Sequence, residues 1–390
     1  MNNLYSEVGY SSLNKFGEQL CGDNVEVIYQ DDKSMVMVLA DGLGSGVKAN
    51  ILSTLTTKII STMMANGIGV EECIETIAKT LPVCKTRGIA YSTFTVIRII
   101  ENKEAEIIQY DNPHVILLRN NKRVEYPASV IKIDGKVIYT SRIDIKEDDV
   151  FIAFSDGAVF AGVGKTLNFG WQRENIIEFL ENVYDKKFSA KTLGSILLDE
   201  CNRLYNGEPG DDTTVSVIKV RKRYTVNLMI GPPANREEDS RFVSEFLQEE
   251  DEHIVCGGTT SSIVAKYLNK DVETKLEYQD PDIPPIAYIE GIDLVTEGII
   301  TINKVLSNAK DYIDNVQYFT DWRIKKDGAS LICQILFEKA TDINFYVGRA
   351  INPAHQNPDL PISFNIKMRI VEELSDCLRK LGKRVNVKYF

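Results

Sequence analysis

The stretch Ala40-Asp41-Gly42-Leu43-Gly44-Ser45-Gly46 separates two different patterns in the N-terminal half of the chain. Before it, residues 34–39 form a short apolar run, which is typical of a buried strand. After it, apolar residues recur at every fourth position, and this spacing predicts a helix with one face in the core. These residues are Val47, Ile51, Leu55, Ile59 and Met63. An acid and three glycines therefore stand where a strand ends and a helix begins, and glycine there allows close approach of the backbone.

Two general interpretations of this stretch are open. A strand, Gly-x-Gly and a helix also begin a dinucleotide-binding fingerprint, but its third glycine would fall on Val47. That fingerprint also requires an acid about 20 residues later, and residues 61–66 contain none. The other interpretation is an ordinary Asp-Gly turn, which occurs in many folds.

The same theme recurs twice further along the chain. An apolar run ends in Ser155-Asp156-Gly157, and Gly210-Asp211-Asp212-Thr213-Thr214 leads into another strand pattern. Asp23 is a fourth candidate acid. If these carboxylates converge, each pair 4 Å apart repels by ~4 kcal/mol at an effective dielectric constant of 20. Bound cations would relieve that repulsion, and two divalent ions ~3.5–4 Å apart can activate a water molecule towards a phosphoryl group.

Composition narrows the chemistry. The net charge of −11 argues against nucleic acid as a partner. No apolar run approaches the ~20 residues of a membrane span, so we expect neither a membrane partner nor a signal peptide. Seven cysteines without a Cys-x-x-Cys pattern fit the reducing cytoplasm, and with three histidines a metal site must rely on oxygen ligands. Oxygen ligands favour Mn²⁺ or Mg²⁺.

The order of predicted elements divides the chain into two domains. Residues 1–221 combine helices with many strands at hairpin spacing, which predicts an α+β fold with helices packed on antiparallel sheets. Residues 222–390 alternate strands and helices, which predicts an α/β domain with a largely parallel sheet.

The three acidic segments of residues 5–220 resemble the signature segments of metal-dependent (PPM, type 2C) serine/threonine phosphatases, in particular the bacterial stage II sporulation (SpoIIE-like) branch. The resemblance implies an α-β-β-α sandwich with two metal ions at one edge of the sheets. It implies that Asp41 bridges both ions and that the Gly42 carbonyl binds one. By the same resemblance Asp156 and Asp211 complete the ligands, Asp23 matches an early acid of the family, and Asp212 and Thr214 support Asp211.

Two residues of the larger eukaryotic-type enzymes have no counterpart here. Those enzymes carry a histidine at the position of Leu43 and an arginine near the N-terminus. The sequence therefore assigns no general acid and no phosphate-binding arginine, although Lys48 and Arg87 are candidates.

In the second domain, a predicted strand at 254–256 is followed by Gly257, Gly258, Thr259 and Thr260 at the start of a helix. Free N–H groups and hydroxyls at a helix N-terminus bind anions, so this segment predicts a site for a small phosphorylated ligand. The alternative is that the hydroxyls only cap the helix.

The favoured hypothesis is a cytoplasmic Mn²⁺- or Mg²⁺-dependent protein phosphatase that acts on phosphoserine or phosphothreonine. The resemblance implies that its substrate is a phosphorylated protein of the anti-sigma-antagonist type, and the second domain would regulate or recruit. The alternative is a non-catalytic signalling scaffold whose second domain senses a small phosphorylated ligand. A third hypothesis gives the first domain a small phosphate ester as its substrate.

Overall fold

We describe a computed structural model of the chain. It describes residues 3–80, 92–133, 136–248, 252–274, 280, 282–314, 321–350 and 362–390. The candidate Arg87 lies outside these residues. The chain forms two compact units that divide between Lys222 and Arg223.

The first unit contains two antiparallel sheets. The larger has six strands in the order β2-β3-β4-β5-β9-β8. Its strands are β2 (Asp23–Tyr29), β3 (Met35–Asp41), β4 (Thr93–Ile100), β5 (Glu104–Tyr110), β8 (Ser129–Ile133) and β9 (Lys136–Asp144). The other has five strands in the order β1-β11-β10-β6-β7. Its strands are β1 (Leu4–Leu13), β6 (Ile116–Arg119), β7 (Lys122–Arg123), β10 (Val150–Phe154) and β11 (Thr213–Lys222).

Helices cover the outer face of each sheet. Apolar residues of α1 (Gly46–Ala65) and α2 (Val70–Thr80) share a buried cluster with the six-stranded sheet. Those of α4 (Arg173–Val183) and α5 (Ala190–Leu204) do the same with the five-stranded sheet. A third cluster draws side chains such as Met37 and Phe151 from both sheets and fills the space between them. This is the predicted α-β-β-α sandwich, to which the short helix α3 (Asp156–Val159) is added after β10.

The predicted core face of α1 is wrong in its first half. Val47, Ile51 and Leu55 are 61%, 51% and 42% exposed. The buried side of α1 instead carries small and hydroxyl residues, namely Gly46, Ala49, Ser53, Thr56, Thr57, Ile60, Ser61 and Met64.

Close approach of the backbone explains this choice. A Cβ on Gly42 would overlap the carbonyl of Ala49, so α1 lies directly on the end of β3 and large side chains do not fit there. The buried hydroxyls of Ser53 and Thr57 are satisfied locally, since each donates to the carbonyl three residues earlier, whereas Thr56 Oγ1 has no hydrogen-bond partner among the described residues. The four-residue spacing of apolar residues therefore predicted the helix correctly, but it predicted the wrong buried face for the first half of α1.

The second unit is built on a seven-stranded sheet in the order β14-β15-β16-β13-β12-β17-β18. The five strands from β16 to β18 in this order are parallel, as predicted, while β14 and β15 pair antiparallel at one edge. The strands are β12 (Thr225–Ile230), β13 (Glu252–Cys256), β14 (Glu273–Thr274), β15 (Ala287–Tyr288), β16 (Leu294–Thr296), β17 (Asp342–Val347) and β18 (Arg384–Tyr389).

Helices pack on both faces of this parallel sheet. One face carries α8 (Ile299–Asp314), α9 (Gly328–Cys333) and α10 (Ile362–Lys380), and α9 continues as a π-helix at Gln334–Lys339. The other face carries α6 (Asp239–Phe246) and α7 (Gly258–Leu268). Short 3₁₀ turns lie at Arg236–Glu238 and Asp321–Arg323. Since β12, the first strand, lies between β13 and β17, the chain winds outward from the centre of the sheet in both directions.

Within the part of the chain that the structure describes, none of the helices combines the length and the apolar character that a membrane crossing requires.

The orientation of α1 predicts different effects for one substitution at two sites. Ile60→Ala removes a fully buried side chain and should lower the free energy of unfolding by about 2–4 kcal/mol. Ile51→Ala, the matched control on the same helix, should change it by no more than about 0.5 kcal/mol because Ile51 faces solvent. Urea denaturation followed by circular dichroism measures both values. A larger effect at Ile51 than at Ile60 would contradict the orientation described here.

Candidate metal centre

The strand ends of the two sheets bring acids from distant parts of the chain to one place. Asp23 begins β2 and Asp41 ends β3, and the antiparallel register sets these two residues opposite each other. Asp156 begins α3 directly after β10, and Asp211 lies just before β11, the strand paired with β10. The fold therefore places all four predicted acids where their charges interact.

The effect on protonation is large. Burial raises the pKa of Asp41 to about 9, and the neighbouring carboxylates of Asp23, Asp156 and Asp211 add to this rise. Burial also raises the pKa of Asp23 to about 7, opposed by hydrogen bonds from Ser155 and Thr214. The pKa of Asp156 is raised by burial and then by the charge of Asp211. These carboxyl groups are therefore not all ionised at neutral pH unless a bound cation offsets their burial and mutual repulsion.

Asp23 is held by residues of the other sheet. The Ser155 hydroxyl donates to Asp23 Oδ2 at 2.7 Å and accepts a hydrogen bond from the Thr214 backbone N–H at 2.9 Å. The other oxygen, Oδ1, is buried without a hydrogen-bond partner. Sequence reasoning quoted Ser155 within a motif but assigned it no role, because its contact with Asp23 spans 132 residues.

Asp212 and Thr214, predicted to support Asp211, also lie beside Asp23, and the Asp212 backbone N–H donates to Asp211 Oδ1 at 3.1 Å. Asp212 is buried, and a Cβ on Gly22 would stand 2.8 Å from its Oδ2. That oxygen has no hydrogen-bond partner, whereas Oδ1 accepts the backbone N–H of Lys15 at 3.0 Å. Two buried carboxylate oxygens, Asp23 Oδ1 and Asp212 Oδ2, are therefore left unsatisfied near the centre.

Lys15 is a cation at this centre that the sequence did not reveal. It lies in the loop between β1 and β2, and its ammonium is 3.8 Å from Asp211 Oδ1. The side chain keeps 38% of its surface exposed, so the charge also faces solvent. Of the lysine and arginine suggested from sequence, Lys48 is exposed and Arg87 falls outside the described residues.

The glycines next to the acids are required by packing. A Cβ on Gly22 would lie 2.9 Å from the Ala49 Cβ, and one on Gly42 would overlap the Ala49 carbonyl. A Cβ on Gly157 would overlap the Asp212 carbonyl. Each Asp-Gly or Gly-Asp pair thus lets a segment from another part of the chain close over the acid beside it.

A cavity of about 470 Å³ lies on the same edge of the six-stranded sheet. It is lined by Tyr110, Asp111, Asn112, His114, Lys136, Val137 and Tyr139. Asp111 follows β5, two strands from Asp41, which is about 10 Å at the usual strand spacing. Its charge contributes to the raised pKa of Asp156, so the cavity adjoins the acidic centre.

The donor set fits hard divalent cations. It consists of carboxylate oxygens, including two buried ones that lack partners, and such oxygens are the ligands that Mg²⁺ and Mn²⁺ prefer. Among the described residues, no three acidic, histidine or cysteine side chains already enclose a common point. The carboxylates are therefore neighbours that must move closer together to ligate an ion.

Comparisons with known proteins match this unit. A family model described as Stage II sporulation protein E (SpoIIE) matches residues 31–221. Stage II sporulation protein E of Priestia megaterium is 23% identical over 222 residues, which are 55% of this chain and 36% of that protein. The Bacillus subtilis (strain 168) protein is 23% identical over 238 residues, or 56% of this chain and 27% of that protein. The chain thus spans about a third of the length of these curated relatives.

A solved structure of the PP2C phosphatase domain with a fragment of the regulatory domain of SpoIIE from Bacillus subtilis is also similar. It is 21% identical, covers 56% of this chain and 64% of its own, and has a TM-score of 0.48. By the family model and the two curated relatives, residues 31–221 of this chain are similar to stage II sporulation protein E, which supports a SpoIIE-like domain of the PPM phosphatase type in this unit.

Proposed function

We propose that this protein is a divalent-cation-dependent phosphatase that removes phosphate from phosphoserine or phosphothreonine in a protein substrate. The observation that carries the proposal is the arrangement of strand ends: Asp23 lies opposite Asp41 in the register of β2 and β3, and Asp156 and Asp211 lie at the adjoining ends of β10 and β11. The family match of residues 31–221 supports the same reaction class.

Two Mn²⁺ or Mg²⁺ ions would be held by Asp41, the Gly42 carbonyl, Asp156 and Asp211, with Asp23 as a further ligand. When bound, such ions neutralise the carboxylates, lower the pKa of water and polarise a phosphoryl group. Ser155 would keep Asp23 oriented, because its hydroxyl already bonds one oxygen and leaves the other available.

Lys15 is proposed to bind the substrate phosphate. Its ammonium lies 3.8 Å from Asp211 Oδ1. Because the side chain is 38% exposed, the ammonium is accessible to an anion from solvent. An ammonium that hydrogen-bonds to a phosphate oxygen makes a charge-assisted contact, which is stronger than a neutral one.

The cavity beside the centre is proposed to receive the substrate chain near the phosphorylated residue. It begins about 10 Å from Asp41 along the sheet edge, a distance that about three residues of extended chain span. A protein substrate can fill this space, whereas a small phosphate ester bound at the acids does not extend into it.

The biological assignment rests on the family. We propose a cytoplasmic enzyme of sporulation or stress signalling, with a phosphorylated anti-sigma-antagonist-type protein as its substrate. The second unit would regulate the first or recruit that substrate.

The most direct test substitutes the central acid. Asp41→Asn should lower metal-dependent hydrolysis of a phosphoserine peptide by at least about 100-fold, since even outer contacts to a metal ligand are worth about 10–100-fold. Asp144→Asn, which also changes the last residue of a strand but is exposed, is the matched control and should retain full activity. Activity in the Asp41 variant equal to that of the control would refute the assignment.

Stability should depend on pH in the absence of divalent ions. The raised pKa values, about 9 for Asp41 and about 7 for Asp23, mean that the folded state keeps protons that the unfolded state releases above about pH 4. This stabilising contribution is complete below pH 4 and is lost as the pH rises through 7 to 9. Thermal unfolding in EDTA across this range should therefore show a falling midpoint, and a constant midpoint would contradict it.

Cation binding should reverse that loss. At pH 8, Mn²⁺ or Mg²⁺ at 100 times its dissociation constant stabilises by about 2.7 kcal/mol, which raises the unfolding midpoint by about 5–10 °C. Asp41→Asn should lose this response, because it removes a carboxylate that would hold the ions. No shift with either ion in the natural chain would favour the non-catalytic scaffold.

Substituting Lys15 tests the phosphate contact. Lys15→Met should raise KM for the phosphopeptide by about tenfold, the value of one hydrogen bond to a charged group, with a smaller effect on kcat. Lys15→Arg should restore most of the affinity, and Lys103→Met, at an exposed lysine of the same unit, should have no effect. An unchanged KM in Lys15→Met would show that this lysine does not contact the substrate.

A further inference from the structure

The carboxyl edge of the parallel sheet in the second unit has an unusual surface of glycines. Strands β12, β13 and β17 end in register at Ile230, Cys256 and Val347. The next residue of each is a glycine, so Gly257, Gly231 and Gly348 lie side by side across two strand spacings, about 10 Å. We call these three residues the glycine floor. It lies at the point where the winding of the sheet reverses, which is where open α/β sheets form a ligand crevice.

The floor depends on the absence of side chains. Gly231 and Gly257 have φ values of 75° and 110°, which side-chain-bearing residues rarely adopt. A Cβ on Gly348 would overlap the Pro232 and Gly231 carbonyls. Any other residue at these positions would strain the backbone or fill the edge.

One side of the floor is the N-terminus of α7. Its cap residue, Gly257, offers no side chain to the helix, and the N–H groups of Gly258, Thr259 and Thr260 have no acceptor within the described part of the chain. By contrast, Glu297 Oε2 accepts the N–H groups at the start of α8, at 3.1 and 3.4 Å. Gly258 and Thr259 are exposed, so this helix terminus is accessible.

Thr260 adds a second and independent observation. The residue is 1% exposed, and its hydroxyl is buried without a hydrogen-bond partner. The hydroxyl is directed towards the cap, because a Cβ on Gly257 would be 3.2 Å from Thr260 Oγ1 and 4.0 Å from its Cβ. A buried hydroxyl normally finds a partner, and one left without it next to free N–H groups indicates an acceptor supplied by a ligand.

The other side of the floor carries a buried cation. Lys367 of α10 is 7% exposed, and its ammonium contacts the carbonyls of Gly348 and Ala350. A Cβ on Gly231 would stand 2.5 Å from this ammonium. No carboxylate of the described residues forms an ion pair with it, and burial accordingly lowers the pKa of Lys367. A buried ammonium without a counter-ion is costly, and an anion beside it removes that cost.

We propose that the glycine floor binds a small phosphorylated molecule, with its phosphate at the N-terminus of α7 and its remaining part extending over the glycines towards Lys367. The N–H groups of Gly258 to Thr260 and the Thr260 hydroxyl donate to the phosphate, as at other helix N-termini that bind anions. The site is independent of the phosphatase reaction and of its metal ions.

The test is anion binding by the full-length chain in EDTA, which removes cation-mediated phosphate binding at the acidic centre. Isothermal titration calorimetry with inorganic phosphate, AMP and free phosphoserine separates the free ion from two kinds of organic phosphate. We expect saturable binding of at least one of them at one site per chain. Tighter binding of AMP or phosphoserine than of phosphate identifies an organic ligand, and the reverse order identifies the ion itself. The absence of binding by all three would overturn the proposal.

Two substitutions locate the site. Thr259→Asp places a negative charge in the first turn of α7, where acids stabilise helices, so folding is preserved while the anion is repelled. It should weaken binding by about tenfold or more without lowering the unfolding midpoint. Ser262→Asp adds the same charge to an exposed position one turn later and should retain binding.

Lys367→Met replaces the buried ammonium with an apolar chain of similar length. It should weaken binding of AMP more than that of inorganic phosphate, because the ammonium lies beyond Gly257, against Gly231 and Gly348, and not at the N-terminus of α7. Binding that is unchanged in both Thr259→Asp and Lys367→Met would place the anion elsewhere and overturn the proposal.

Discussion

Repulsion between buried carboxylates is the constraint on which the first unit depends. Each pair of charges 4 Å apart opposes folding by ~4 kcal/mol, and several such pairs are comparable with the whole net stability of a domain, ~5–15 kcal/mol. Protonation relieves part of this repulsion, since the pKa values of Asp41 and Asp23 rise to about 9 and about 7. Hydrogen bonds from Ser155 and the charge of Lys15 give further relief. The repulsion that is left favours the binding of divalent ions at this centre.

The acids could be found from sequence because each is tied to a local pattern. Asp41 and Asp156 lie at the ends of apolar strands, and Asp211 precedes one. Their positions at strand ends could therefore be predicted from the hydrophobic pattern without knowing the fold. Lys15 carries no such signal, and Asp111, although it directly follows β5, was not assigned to the centre from sequence. Lys15 reaches Asp211 and Asp212 across nearly 200 residues, and Asp111 joins the group only because β5 lies two strands from β3.

The error in α1 has a physical cause that the sequence also contains. Period-four apolar residues predict a buried face only when the helix packs through large side chains. Here Gly42 and Ala49 bring the helix backbone against the strand end. Only small residues fit on the buried face of α1 there, and Val47, Ile51 and Leu55 are exposed to solvent. The small residues Ala49 and Ser53, one turn apart, are the sequence feature that indicates this buried face. In the second unit, β16 has three residues, which are too few for a hydrophobic period to appear in the sequence.

Both units place glycines at strand ends, but the charges that gather there are opposite in sign. In the first, glycines beside Asp23, Asp41 and Asp156 let neighbouring segments close over strand ends that carry acids, which concentrates negative charge. In the second, glycines after β12, β13 and β17 allow the N-terminus of α7, the Pro232 backbone and the Lys367 ammonium to approach the strand ends, and the helix terminus and the ammonium concentrate positive charge there. Glycine itself supplies no charge in either place. The sign of the charge comes from the group at the end of the strand: a carboxylate in an antiparallel sheet, or a helix N-terminus in a parallel one, where each strand leads into a helix.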